Sequence, residues 1–141
     1  MRYGTTLIEL LLAVVILAII AGFGIPRLSA IGDAATVNGE IQRLVTALDA
    51  ARGAAIRLDG VAILSVSDTA YVVRVVSGTD TVVAWQQSGA SRNGSSLRGA
   101  GAPVRFGPSG VAVGAANRTL IVAKGSAQRT VVVSRLGRLS Y

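Results

Sequence analysis

An uncharged apolar run from Leu10 to Ile25, entered through a single carboxylate at Glu9, constrains this chain more than any other feature. At about 1.5 Å per residue, a helix from Thr5 to Ile25 reaches roughly 30 Å, the hydrocarbon thickness of a bilayer. Residues 5–26 therefore read as a transmembrane helix. An acid at the edge of such a segment is costly unless it has a task. Plainer readings explain less. The core helix of a small soluble domain needs less apolar length. A conventional secretory signal has a shorter apolar region and a small-x-small cleavage site, which Gly32-Asp33-Ala34 matches poorly. An ordinary single-pass anchor leaves the order Gly4-Thr5-Thr6-Leu7-Ile8-Glu9 unexplained.

The 141 residues leave room for one small domain after this segment. With no cysteine in the chain, that domain must be held by its core and backbone hydrogen bonds rather than by disulfides. The absence of histidine removes the commonest general base and the commonest transition-metal ligand. The acids Glu9, Asp33, Glu40, Asp49, Asp59, Asp68 and Asp80 are scattered singly, without a spacing for acid–base work or calcium, and read as solvent-facing or capping groups. No Gly-x-Ser-x-Gly or Ser-x-x-Lys motif accompanies the serines. No enzyme, cofactor or metal site is expected, and a membrane-anchored enzyme stands last among the functional readings.

Charge is unevenly laid out. The formal net charge is +7, yet every acid lies at or before Asp80, while Arg92, Arg98, Arg105, Arg118, Lys124, Arg129, Arg135 and Arg138 follow it. A positive face is expected wherever the fold gathers these groups.

Beyond Pro26, the positions Val37, Ile41, Leu44, Leu48, Ala51 and Ala55 recur at steps of four and three, with Glu40, Arg43, Asp49 and Arg52 between them. This spacing predicts an amphipathic continuation of the helix over 27–59, ending where Gly60 can turn left-handed. Gly22, Gly24, Pro26, Gly32 and Gly39 weaken a helix, and a break is expected at Pro26.

From residue 60 the period becomes extended. Val61–Val66, Ala70–Val76 and Thr81–Trp85 read as an antiparallel meander. Pro103–Phe106, Gly110–Val113, Thr119–Ala123 and Arg129–Ser134 form a second group, with a last short strand after Gly137. Residues 60–141 are thus a β-rich domain. Residues 88–101, rich in glycine and serine, are expected to form a flexible surface loop, either a basic finger or a tolerated insertion.

Two sets of residues resemble known patterns. Gly4, then Thr6-Leu7-Ile8-Glu9-Leu10, then Pro26 resemble the class III signal of type IV pilins and type II secretion pseudopilins. In that signal a peptidase cuts after the glycine and leaves an acid four residues beyond the new terminus. Thr5 stands where phenylalanine is usual, and Met1-Arg2-Tyr3-Gly4 is a short leader with one basic residue. Near the other end, Phe106-Gly107-Pro108-Ser109-Gly110 and Gly137-Arg138 resemble the Phe-x-Pro-x-Gly and Gly-Arg elements of the GspH/FimT family of minor pseudopilins and minor pilins.

The resemblance implies an α+β, pilin-like fold, with a long, partly transmembrane N-terminal helix packed on an antiparallel sheet domain. It implies processing between Gly4 and Thr5 to remove leader 1–4, and a role for Glu9 in assembly. The place implied is the inner membrane, single-pass, with the domain in the periplasm, and a filament near whose tip the subunit sits. The implied partners are other pilins, prepilin peptidase and the inner-membrane assembly platform. In the alternative reading of Glu9, it merely marks the headgroup boundary. A second function implied by the family is DNA capture for transformation, with Arg135, Arg138, Arg129 and Lys124 as candidates. Against it, Leu139-Ser140-Tyr141 replaces a further arginine, and aromatic residues for base stacking are few, Trp85 and Tyr141 being the ones available. The positive surface can equally serve solubility or acidic secretion partners.

Overall fold

The computed structural model describes residues 6–114, 117–134 and 139–140, the backbone alone at 23–26 and 139. The chain divides into two compact units, 1–32 and 33–141. One helix, α1 (Leu7–Arg57), contributes to both.

In the first unit α1 is apolar on every side, and Leu7, Ile8, Leu10, Leu12, Leu17 and Ile20 are all exposed. A helix apolar all round is stable only when lipid or other helices surround it. The segment is long and apolar enough to cross a membrane. The expected break at Pro26 is not an interruption of secondary structure, since α1 runs unbroken through it. A proline inside a helix removes one i→i−4 hydrogen bond, and the turns on either side keep theirs.

In the second unit α1 buries the predicted stripe. Val37, Ile41, Leu44, Leu48, Ala51 and Ala55 are in the core, joined by Ala47 and Ala54. The helix ends at Arg57, two residues before the expected limit at 59. Asp59, not Gly60, takes the left-handed conformation, with φ 45°. The Gly60 N–H donates to the Ala55 carbonyl at 3.1 Å, the wider bond of a Schellman ending. Glycine is needed at 60 for a different reason: a Cβ there would lie 2.6 Å from the Val76 carbonyl oxygen.

The remaining elements are β1 (Val61–Val66), β2 (Ala70–Ser77), β3 (Asp80–Ser88), a 3-10 turn (Ala90–Asn93), β4 (Ser96–Arg98), β5 (Val104–Phe106), β6 (Ala112–Val113), β7 (Arg118–Lys124), β8 (Ala127–Val133) and β9 (Leu139–Ser140). They form two antiparallel sheets, ordered β3-β2-β1-β5-β6 and β4-β7-β8-β9. The meander β1-β2-β3 is as expected, and β9 supplies the last short strand. The later strands do not stay together, however: β5 and β6 extend the first sheet from the free edge of β1. Inward residues Ala62, Leu64, Tyr71, Val73, Val75, Val104 and Phe106 of one sheet, and Leu97, Leu120, Val122, Val131 and Val133 of the other, share one core with the helix stripe.

The segment 88–101 corrects the loop expectation. It contains the 3-10 turn and β4, which pairs with β7. Ala90, Ser95 and Leu97 are buried, and the Leu97 N–H donates to Asp68 Oδ1 at 2.7 Å. Two apolar anchors, Ala90 and Leu97, and side-chain hydrogen bonds suffice where a long apolar run is missing.

The Phe106–Gly110 turn is pinned to α1. The Gly110 N–H donates to the Gly107 carbonyl at 2.8 Å, and φ at Gly110 is 73°. A Cβ on Gly110 would come within 2.8 Å of Ile56 Cδ1. Both the backbone conformation and the helix therefore demand glycine.

Candidate functional site

Glu9 stands in the first turn of α1, where the Thr6 carbonyl accepts from the N–H groups of Glu9 and Leu10 at 3.1 and 3.2 Å. A carboxylate in this position is favoured by the helix dipole. Its side chain is exposed, and among the described residues of the first unit it is the one carboxylate. Ile8, Leu11, Leu12 and Val15, spaced to share one helix face, line a shallow apolar groove of about 260 Å³ beside it. Gly4 and Thr5, the predicted processing residues, lie outside the described residues.

Of the four cationic candidates, Lys124 and Arg129 are among the described residues. Arg135 and Arg138 lie outside the described residues, as does Tyr141. Lys124 Nζ sits 3.7 Å from Asp33 Oδ1 and donates to Thr36 Oγ1 at 3.3 Å, so its ammonium is tethered to the helix. Arg129 shares the inward parity of Val131 and Val133 on β8 and lines a cavity of about 390 Å³ with Asn38, Gly39, Ile41 and Gln42 of α1. Trp85 packs partly buried against the core, so it is not a free stacking platform.

Sequence reasoning missed a buried polar network around Glu40. This acid was expected to face solvent, yet it is 0% exposed. Its Oε1 accepts from Asn93 Nδ2 at 2.7 Å and from Arg43 Nη1 at 2.8 Å, and its Oε2 from the Tyr71 hydroxyl at 3.3 Å. With the Gln87 amide oxygen turned toward Arg43, it accepts from Nε and Nη2 at 3.1 and 3.3 Å. Burial first, and the charge of Glu40 next, push the Tyr71 phenol well above its ordinary range, so it remains a donor. The signal was present: Glu40 is three residues after Val37 and four before Leu44, which places it on the buried stripe.

The family model for type II transport protein GspH matches residues 40–137, well over half of the chain. The chain belongs to the GspH family. The match opens at Glu40 and runs through every strand up to β8, so it is independent of the N-terminal signal. No curated protein and no solved structure matches the chain. Membership gives this GspH protein a pseudopilin role in type II secretion, in association with other pseudopilins, as a structural component.

Proposed function

We propose that this GspH protein is a minor pseudopilin, or minor pilin, that prepilin peptidase cleaves after Gly4 and that then enters a helical filament. The helix holds it in the inner membrane as a single pass, with the domain in the periplasm, until the assembly platform takes it up. The observation that carries this reading is the order Gly4-Thr5-Thr6-Leu7-Ile8-Glu9 at the head of an apolar helix, on a chain whose domain belongs to the GspH family. Intact-mass measurement of the membrane-extracted protein is expected to show loss of Met1 to Gly4 and a methyl group on the new terminus. A mass that retains the leader in peptidase-competent cells counts against the assignment.

A second reading, DNA capture, is favoured by the eight cations that follow Asp80 without one acid. Since Lys124 is paired with Asp33, it rests on Arg135, Arg138 and Arg129. Phosphate contacts make binding independent of sequence and steeply salt-dependent, with a slope of about one in log K per contact. Arg135→Gln with Arg138→Gln is expected to lower that slope by about two in a salt titration of the full chain. Absence of DNA binding at low salt excludes this reading and leaves protein partners.

A further inference from the structure

The strand registers place five residues in one row across the first sheet. Val83 stands opposite Arg74, Arg74 opposite Ile63, Ile63 opposite Arg105, and Arg105 opposite Val113. Directly paired residues share a face. Their neighbours Val73, Val75, Ala62, Leu64, Val104 and Phe106 are buried against the helix, so this row lies on the face turned away from it. Val83 is 58% and Val113 52% exposed, and both arginines are exposed. Toward the β6 end of the row, Arg105 and Arg118 line one cleft of about 200 Å³, walled by Pro103, Val104 and Val113.

None of these three guanidinium groups has an ion-pair partner among the described residues. The row itself holds no carboxylate, and Asp68, at the far end of β1, accepts from the Leu97 N–H of the other sheet. Asp80 pairs with Ser77, on the opposite parity, Asp33 is engaged by Lys124, and Glu40 is buried. We propose that this face docks an acidic, partly apolar segment of a partner protein, with one carboxylate held in the Arg105–Arg118 cleft and another on Arg74.

Three observations select this occupant. Arginine forks bind carboxylates in bidentate fashion, and arginine set among aliphatic side chains is the composition of protein interfaces. Tyr71, Trp85 and Phe106 all have the inward parity, which leaves no aromatic ring among the described residues on this face to stack a nucleobase. A second copy of this chain is disfavoured by its net charge of +7, since like-charged molecules repel. The proposal goes beyond the pseudopilin role and uses different residues from the DNA reading.

The test is fluorescence anisotropy on the full chain in nanodiscs of zwitterionic lipid at low salt. The probe is a labelled peptide of glutamate, valine and serine, and its counterpart has glutamine for glutamate. The acidic peptide is expected to bind and the glutamine peptide not to. Arg105→Gln with Arg118→Gln should weaken binding by about tenfold or more, as truncating one side of a charged hydrogen-bonded pair does. Arg105→Lys, which keeps the charge and loses the fork, should cost severalfold, and it serves if the double variant does not fold, as judged by circular dichroism. Arg98→Gln, exposed on β4 in the other sheet, should change nothing. Equal binding of the glutamine peptide, or equal loss with Arg98→Gln, overturns the proposal. So does tighter binding of single-stranded DNA or of phosphatidylglycerol vesicles through the same arginines, because the site would then be one for phosphate.

Discussion

Glu9→Ala is expected to remove the protein from filaments while leaving its amount in the inner membrane unchanged. Once the leader is gone, the amino group of Thr5 is a cation at the head of an apolar helix. In a filament core of packed helices, Glu9 of one subunit can neutralise that amine on its neighbour. Water is scarce there, so the pair is weakly screened, and deleting one member strands the other charge at a cost of about 3–5 kcal/mol. At 1.4 kcal/mol per factor of ten, that is on the order of a hundredfold or more in incorporation. The isolated subunit loses little. The carboxylate in the first turn contributes about 0.3–1 kcal/mol through the helix dipole, and its removal makes the segment easier to place in lipid. Immunoblots of sheared filaments beside the membrane fraction measure both quantities. Glu9→Gln, similar in shape but uncharged, should fail in the same way. Normal incorporation of either variant would show that Glu9 only marks the membrane boundary.

The elements of this fold were legible where a single periodicity dominates. The stripe from Val37 to Ala55 obeys a helical repeat, and every one of its six positions is buried. The β-branched runs of β1, β2 and β3 announce an antiparallel meander, and the registers bear it out. What escaped depends on partners distant in sequence. Glu40 reads as polar and therefore exposed until Asn93, Tyr71 and Arg43 are known to surround it. Residues 88–101 look unfoldable because their anchors are just two buried apolar residues, Ala90 and Leu97, and hydrogen bonds to Asp68 and Glu40 that no local pattern encodes. The basic half was legible as composition but not as surface. Lys124 is paired with Asp33, and Arg129, though exposed, lines a cavity against the helix, whereas Arg74, from the mixed-charge half, joins Arg105 in the outer row.

Glu40→Ala is expected to lower the stability of the domain by about 3 kcal/mol, because hydrogen bonds to a buried charge contribute about 1.5–3 kcal/mol each and three donors lose their acceptor at once. The loss stays at the lower end of the range for broken buried pairs, since the Arg43 side chain is 25% exposed and can turn to water. Asn93 is exposed and has the same escape, so the fully buried Tyr71 hydroxyl, left without its acceptor, carries the larger part. For a domain of this size the midpoint of thermal unfolding should fall by roughly 10–20 °C. Tyr71→Phe keeps the packed ring and gives up one 3.3 Å hydrogen bond, so about 1 kcal/mol is expected. Asp49→Ala, on the exposed side of α1, should be silent. The network also joins the 3-10 turn to the helix through Asn93, so Glu40→Ala should speed proteolysis within 88–101 more than elsewhere in the domain. Thermal melts and limited proteolysis of the full chain read the two effects separately. An unchanged midpoint together with unchanged cleavage would mean that the buried carboxylate is a passenger in the core, not the tie between α1, β2 and the segment that follows β3.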